Sequence, residues 1–128
     1  MPSRSPRPPP PAPDGAPERW SVDAGASDVA LLVIPPDARR RRVFEVDCRL
    51  AVRVADDADA PWHELRVEID GAQQWSRRIA SHAPSDTLDY HCRCEVAVGR
   101  ALRVRAVGQA GAQAVRTRLL IEAEEASR

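Results

Sequence analysis

Lysine is absent from this sequence of 128 residues, so all 19 of its basic side chains are arginine. Aspartate and glutamate together also number 19, and the formal net charge is therefore zero. A neutral total argues against nucleic acid or an anionic membrane as the partner, because both attract proteins with a strong positive field. The abundance of arginine, alanine, proline and valine is typical of a GC-rich coding bias, and we therefore expect a bacterial source.

Long hydrophobic runs are also missing from the sequence. No stretch approaches the ~20 consecutive apolar residues that a membrane helix needs. The N-terminal residues contain no apolar segment of about 7–15 residues, which a secretory signal peptide would need. We therefore expect a cytoplasmic protein without a membrane partner, and in that compartment its three cysteines would be reduced thiols.

Aromatic side chains are scarce. They are Trp20, Phe44, Trp62, Trp75 and Tyr90. The hydrophobic fraction of 43% is nevertheless typical of a globular domain. The core must therefore consist mostly of aliphatic side chains.

Proline is concentrated at the N-terminus, where residues 1–18 hold most of the 12 prolines. Proline fixes φ and donates no backbone hydrogen bond, so this segment is predicted to be a disordered, solvated arm with polyproline II character. The stretch from Arg7 to Pro13 fits the Arg-x-x-Pro-x-x-Pro ligand pattern of SH3-type grooves, but we favour a simple linker or a compositional accident, because this pattern arises easily in a chain rich in arginine and proline. Residues 19–128 are predicted to form one domain.

Strict alternation of apolar and polar side chains is the clearest signal in the sequence. Between residues 44 and 54 the apolar positions are Phe44, Val46, Cys48, Leu50, Val52 and Val54. A period of two places one face of a strand in a core and the other in water, whereas a helix would scatter these residues around its circumference. This segment is predicted to be a long β-strand.

Similar segments follow at intervals that are typical of an all-β domain. Alternation recurs over residues 65–69, 90–98, 102–106 and 115–121, and Asp70-Gly71 is a strong hairpin signal. A strand through Trp75 and Ile79 should return from that hairpin, and the apolar run at residues 30–34 ends at two prolines. We expect about seven strands in an antiparallel two-sheet sandwich, either immunoglobulin-like or jelly-roll-like.

One group of residues resembles the immunoglobulin family. Cys48 is followed by Trp62 and then by Asp86-Thr87-Leu88-Asp89-Tyr90-His91-Cys92, which is similar to the family's cysteine, tryptophan and tyrosine-corner motif. The resemblance covers residues 48–92 and fails afterwards, because two further strands follow where the family has one. It implies a sandwich in which Cys48 and Cys92, if they face each other, form a reduced pair.

The cysteines allow two interpretations. Cys92 and Cys94 could chelate zinc together with Cys48 or a histidine. All three, however, fall in the apolar register of their strands, where cysteine behaves as a small hydrophobic residue. We expect buried core thiols, with a metal or redox site at these three residues as the alternative.

Two groups of polar residues are predicted to have no special chemistry. The histidines His63, His82 and His91 show no spacing typical of a metal site or an acid–base pair. Arg39–Arg42 lack the aromatic or further basic neighbours of a nucleic-acid site. We expect these arginines to form a solvated entrance to the long strand.

Trp62 and Trp75 are the candidate binding residues. Trp75 lies among Gln74, Arg77 and Arg78, a polar neighbourhood that suits a surface for a ligand or a protein partner. Core packing of the tryptophans is nevertheless the interpretation that we favour, because most tryptophans are largely buried.

Recognisable catalytic motifs are missing: there is no Gly-x-Ser-x-Gly, no glycine-rich phosphate loop and no His-Glu-x-x-His. We therefore expect a non-catalytic protein-interaction or accessory module without a cofactor, whose partner is another protein or a second copy that pairs through an edge strand. The alternatives are a carbohydrate- or small-ligand-binding sandwich that uses Trp75, and a cysteine-based metal or redox protein.

Overall fold

A computed structural model describes residues 16–126 of the chain, and these residues form eight β-strands. The strands are β1 (Arg19–Asp23), β2 (Val29–Ile34), β3 (Arg42–Val54), β4 (Trp62–Ile69), β5 (Ala72–Ala80), β6 (Ser85–Val96), β7 (Leu102–Gly111) and β8 (Ala114–Glu125). Nothing in this part of the chain forms a helix of the length and apolarity that a membrane crossing requires.

The strands form two antiparallel four-stranded sheets that pack face to face. The first sheet has the order β1-β8-β3-β6 and the second has the order β2-β7-β4-β5. Strand β1 pairs with β8, β2 with β7, β3 with β6 and β4 with β5, as in one long hairpin folded over on itself. The predicted two-sheet sandwich is confirmed, and this nested pairing of eight strands is that of a jelly roll.

The predicted number of seven strands is one too small because β1 was missed. This strand is only five residues long, and its inward side chains, Trp20 and Val22, are only half-buried. So short a segment gives little alternation to detect. The predicted hairpin at Asp70-Gly71 is confirmed: it joins β4 to β5, with φ of 49° at Asp70 and 85° at Gly71. Positive φ at both central residues is the geometry that the strand twist favours in a two-residue turn.

Strand β3 lies inside the first sheet, where it pairs with β6 on one side and β8 on the other. Its inward side chains are the predicted ones, and all are buried: Phe44, Val46, Cys48, Leu50, Val52 and Val54. Strands β4, β7 and β8 add aliphatic side chains such as Leu65, Val104 and Ile121, each with no exposed surface. The core is aliphatic, as the scarcity of aromatic residues predicts.

A β-bulge interrupts the alternation that was predicted for β8. The register passes from Ala51 opposite Arg118 to Val52 opposite Arg116, so Thr117 has no direct partner on β3. The extra residue reverses which side chains face inward on the N-terminal side of the bulge. Val115, which was predicted to share the apolar register of Leu119, is therefore exposed.

The prediction that Arg39–Arg42 form a solvated entrance to β3 is wrong for two of the four residues. Arg39 and Arg41 are exposed, whereas Arg40 is half-buried and Arg42 is buried. Arg42 is 3% exposed, and its guanidinium donates to a Glu18 carboxylate oxygen at 2.9 Å and to the Pro35 carbonyl at 2.8 Å. Arg40 binds Glu18 at 2.7 Å and also binds Glu125. Buried charges require such partners. This ion network ties the start of β1 and the start of β3 to the end of β8.

The predicted N-terminal arm lies mostly outside the described residues. Residues 1–15, which include the SH3-type ligand pattern, are not described. Glu18, which the prediction assigned to the arm, belongs to the folded domain because its carboxylate accepts hydrogen bonds from Arg40, Arg42 and the Trp20 indole.

Truncation of Leu50 tests the assignment of β3 as the central core strand. The Leu50 side chain has no exposed surface. The variant Leu50→Ala should therefore leave a cavity in the core and lower the free energy of unfolding by about 2–5 kcal/mol. The control variant Arg53→Ala, whose side chain is exposed on the same strand, should change it by less than about 0.5 kcal/mol. Urea unfolding followed by circular dichroism measures both, and equal effects would contradict the assignment.

Candidate functional site

The two sheets close against each other at one side through a pair of aromatic rings. Strands β5 and β6 are edge strands of opposite sheets. Trp75 of β5 stacks on Tyr90 of β6, with ring centroids 4.6 Å apart and planes inclined by 15°. Both rings pack against the core and are half-buried. Trp75 is therefore a bridge between the sheets.

The four residues predicted as a binding surface do not all lie on one face of β5. The indole of Trp75 faces inward, whereas Arg78 lies on the outer face of the second sheet. Arg77 and Gln74 are exposed at the edge, and Gln74 occupies a bulge between the positions that pair with Val67 and Glu68. The carbohydrate hypothesis requires an exposed indole, and Trp75 does not provide one.

Trp62 is the tryptophan on the outer face, but neither side of its ring is open. The Arg78 guanidinium lies 3.8 Å from the ring centroid on one side. On the other side is Gly111, where an added Cβ would lie 2.5 Å from two of the ring carbons. A stacking platform for a sugar needs one free face. The Trp62 indole is therefore part of the sheet surface.

The three cysteines lie on neighbouring strands of the first sheet. Cys48 of β3 is opposite Tyr90, and Cys92 of β6 is opposite Val46. All three are free thiols. The immunoglobulin disulfide joins the two sheets of its sandwich. The resemblance to that family therefore does not extend to the placement of the cysteines.

The thiols differ in burial and in pKa. Cys48 is 1% exposed, and burial raises its pKa to about 12. The Cys92 and Cys94 sulfur atoms are 3.8 Å apart. Hydrogen bonding from the Cys94 thiol stabilises the Cys92 thiolate and lowers the pKa of Cys92 to about 7, whereas the same contact and burial raise the pKa of Cys94. The prediction of buried core thiols holds for Cys48 and Cys94, while Cys92 is half-buried.

A metal site is not found. Among residues 16–126, no group of three or more His, Cys, Asp or Glu side chains is arranged to hold a metal ion. The metal site that was considered as an alternative for Cys48, Cys92 and Cys94 therefore gains no support from this arrangement.

One histidine has a structural role that the sequence interpretation missed. His63 has no exposed surface, and its Nε2 donates to the Thr87 carbonyl oxygen at 3.2 Å. Its Nδ1 then accepts from the Ser81 hydroxyl at 2.5 Å in the neutral ring. The signal was present in the sequence, because residue 63 shares the odd-numbered register of Leu65 and Val67.

The outer face of the first sheet is covered with cross-strand ion pairs. His91 lies between Asp47 and Glu45, at 2.8 Å and 2.7 Å from their carboxylate oxygens. Arg49 pairs with Asp89 at 2.7 Å. Hydrogen bonds to Asp47 first, and then to Glu45, raise the pKa of His91 above its ordinary value. These charges neutralise one another on the sheet surface.

The edge strand β2 combines exposed apolar side chains with backbone groups that have no partner strand within residues 16–126. Six apolar residues form this strand, and among the described residues it pairs on one side only, with β7. Leu31 and Val33 point outward and are each 43% exposed. The Gly108 amide donates to the Asp28 carbonyl, so hydrogen-bonded pairs fall at residue 28 and at every second residue after it. The amide and carbonyl groups of Leu31 and Val33 therefore point away from β7.

The other three edge strands carry features that discourage pairing with another chain. β1 is short and bears Arg19 and Asp23 at its ends. β5 has the bulge at Gln74 and two consecutive arginines. β6 presents a charged outer row from Asp89 to Glu95. Charges, bulges and short length are the usual protections of a sheet edge. Strand β2 has no such protection.

Comparisons with known proteins support the fold alone. No protein-family model matches the sequence, and none of the curated proteins matches it. The chain is similar to dimeric latent PorU from Porphyromonas gingivalis, with a TM-score of 0.52 and 13% identity. The match covers 83% of this chain and 10% of the PorU chain, so this chain spans about a tenth of that protein's length.

The charge arrangement around His91 predicts its titration. In an NMR titration, the His91 imidazole should show a pKa above 6.5, because protonation adds a second donor between two carboxylates. Its raised pKa stabilises the fold below pH 6.5, and this contribution is lost as the pH rises through the folded-state value. The variant Asp47→Asn should lower the His91 pKa, whereas Asp57→Asn, on an exposed loop, should leave it unchanged. An unshifted His91 would contradict the observed hydrogen bonds.

Proposed function

We propose that this chain is a non-catalytic protein-interaction module that binds an extended segment of another protein along the free edge of β2. The observation that carries the proposal is this unprotected apolar edge, with Leu31 and Val33 exposed on its outer side. Addition of a strand to an open sheet edge is a common mode of peptide recognition.

The chemistry of β2 specifies the kind of segment that would bind. Leu31 and Val33 together offer two amide donors and two carbonyl acceptors, so a partner strand can form four backbone hydrogen bonds with them. Their side chains offer an aliphatic row on the outer face, next to Val29. The partner should therefore be extended and carry apolar side chains at every second position.

Arg103 adds a preference for acidic residues in the partner. It pairs with Val33 across the β2–β7 ladder and is exposed on the outer face. Within residues 16–126, no carboxylate forms an ion pair with its guanidinium. Strands in a sheet are about 4.8 Å apart, so an aspartate or glutamate opposite Val33 on the added strand would be within reach of the Arg103 side chain.

The proposal includes a cytoplasmic location, which three free thiols support because reducing compartments keep cysteines in this form. A second copy of the chain is the alternative occupant of the edge. Two β2 strands can pair in antiparallel fashion about a two-fold axis, because an isologous interface uses the same surface twice.

A pair of matched valine variants tests the edge. Val33 and Val115 are both exposed valines, but Val115 lies in the other sheet, on β8, where it pairs with Arg53 of β3. Peptides selected from a displayed random library against the native chain should contain alternate apolar residues. Val33→Lys should weaken their binding at least about tenfold, a loss of about 1.4 kcal/mol, because a lysine removes an apolar contact and introduces a charge at the edge.

Isothermal titration calorimetry of the selected peptides measures this loss, and Val115→Lys should bind them with native affinity. Hydrogen exchange should also show that the Leu31 and Val33 amides become protected in the complex. A two-fold dimer would appear instead as self-association in sedimentation equilibrium that Val33→Lys abolishes. A native chain that selects no peptide and sediments only as a monomer would overturn the proposal, as would equal binding by Val33→Lys.

A further inference from the structure

We propose that Cys92 and Cys94 form a redox-active dithiol that closes to an intrachain disulfide on reaction with a low-molecular-weight disulfide such as oxidised glutathione. Both side chains lie on the inward face of β6, and their sulfur atoms are 3.8 Å apart. The inference is independent of the function proposed for β2, which lies at the opposite side of the sandwich.

The spacing of the two residues permits the bond but strains it. A strand rises 3.2–3.4 Å per residue, so the Cα atoms of residues two apart are about 6.4–6.8 Å from each other. Disulfides join Cα atoms that are about 4.4–6.8 Å apart, with an S–S bond of about 2.05 Å. The bond therefore requires rotation of both side chains and a local shortening of the strand. A strained disulfide of this kind is easily reduced, as a reversible site requires.

Strand β6 can tolerate this shortening because it is an edge strand. Of the strands formed by residues 16–126, it pairs only with β3, where Cys92 is opposite Val46 and Cys94 is opposite Phe44. A bend at residues 92–94 disturbs one hydrogen-bonded ladder, whereas the same bend in β3 would disturb two.

The two thiols have different roles in the reaction. Cys92 is the more exposed, and Cys94 and the neighbouring His91 stabilise its thiolate. The Cys92 thiolate attacks one sulfur of oxidised glutathione, forms a mixed disulfide and releases one glutathione thiolate. Cys94 then loses its proton, attacks the Cys92 sulfur and expels the second glutathione. Two thiol protons and two electrons pass from the protein, which leaves two molecules of reduced glutathione.

Cys48 provides an internal control. Its side chain is 1% exposed, and burial raises its pKa to about 12, so it is a poor nucleophile. The position of Arg93 between the two reactive cysteines makes their disulfide detectable by peptide mapping, because trypsin cleaves after arginine. The disulfide therefore holds together two tryptic peptides, residues 79–93 and 94–100, that separate in the reduced protein.

The experiment is disulfide mapping by mass spectrometry after equilibration in glutathione buffers of increasing oxidised fraction, with free thiols blocked before digestion. The native chain and Cys48→Ala should give the linked peptides, and excess reduced glutathione should remove them. Cys94→Ala should stop at one glutathione bound to Cys92, and Cys92→Ala should give neither product. Circular dichroism shows whether each variant is folded. The linked peptides of the native chain distinguish the three possible disulfides among its three cysteines.

Tryptophan fluorescence gives a second readout. Tyr90 is two residues from Cys92 and stacks on Trp75, so shortening of β6 should displace this ring pair and change the Trp75 emission. The change should be absent in Cys92→Ala and in Trp75→Phe. A linked peptide that contains Cys48, or the absence of any link in the fully oxidised buffer, would overturn the inference.

Discussion

Hydrogen bonding of β3 on both of its sides is the constraint on which the remaining structure depends. Its register with β6 and β8 fixes three of the four strands of the first sheet. Because every second side chain of β3 is apolar, a shift of one residue would turn the whole buried row toward water. The second sheet must then cover this row, which places β4 and β7 over β3 and β8.

The sequence predicts the parts of the fold that depend on local alternation. The long strand predicted over residues 44–54, which the structure extends to Arg42, and the Asp70-Gly71 hairpin follow from periodicity and from turn chemistry. The bulge at Thr117 and the burial of Arg42 depend on contacts with distant residues, which alternation does not describe. Trp62 lies in the even register of a strand whose odd residues are buried, so its outward orientation could have been predicted.

The candidate sites were harder to predict because they depend on which strands become edges. Residues 30–34 are an apolar run that suits a buried strand as well as an exposed edge, and only the sheet order shows that β2 is unpaired on one side. The proximity of two thiols at alternate positions follows from strand geometry. Their placement on an edge strand beside the Trp75–Tyr90 pair does not. The two sides of the sandwich thus differ in chemistry. One side has the aliphatic, unprotected edge of β2, and at the other side an aromatic ring pair next to two thiols joins the sheets.

The pairing of β1 with β8 has a consequence for how this domain can be carried within other proteins. Arg19 is directly opposite Glu124, so the chain enters and leaves the sandwich at neighbouring positions, about 5 Å apart. The ion pairs of Arg40 with Glu18 and Glu125 hold the first and last strands together at this position. A host protein could therefore accept the whole domain as an insertion at a single surface turn, since the gap to be spanned is no wider than that of an ordinary hairpin.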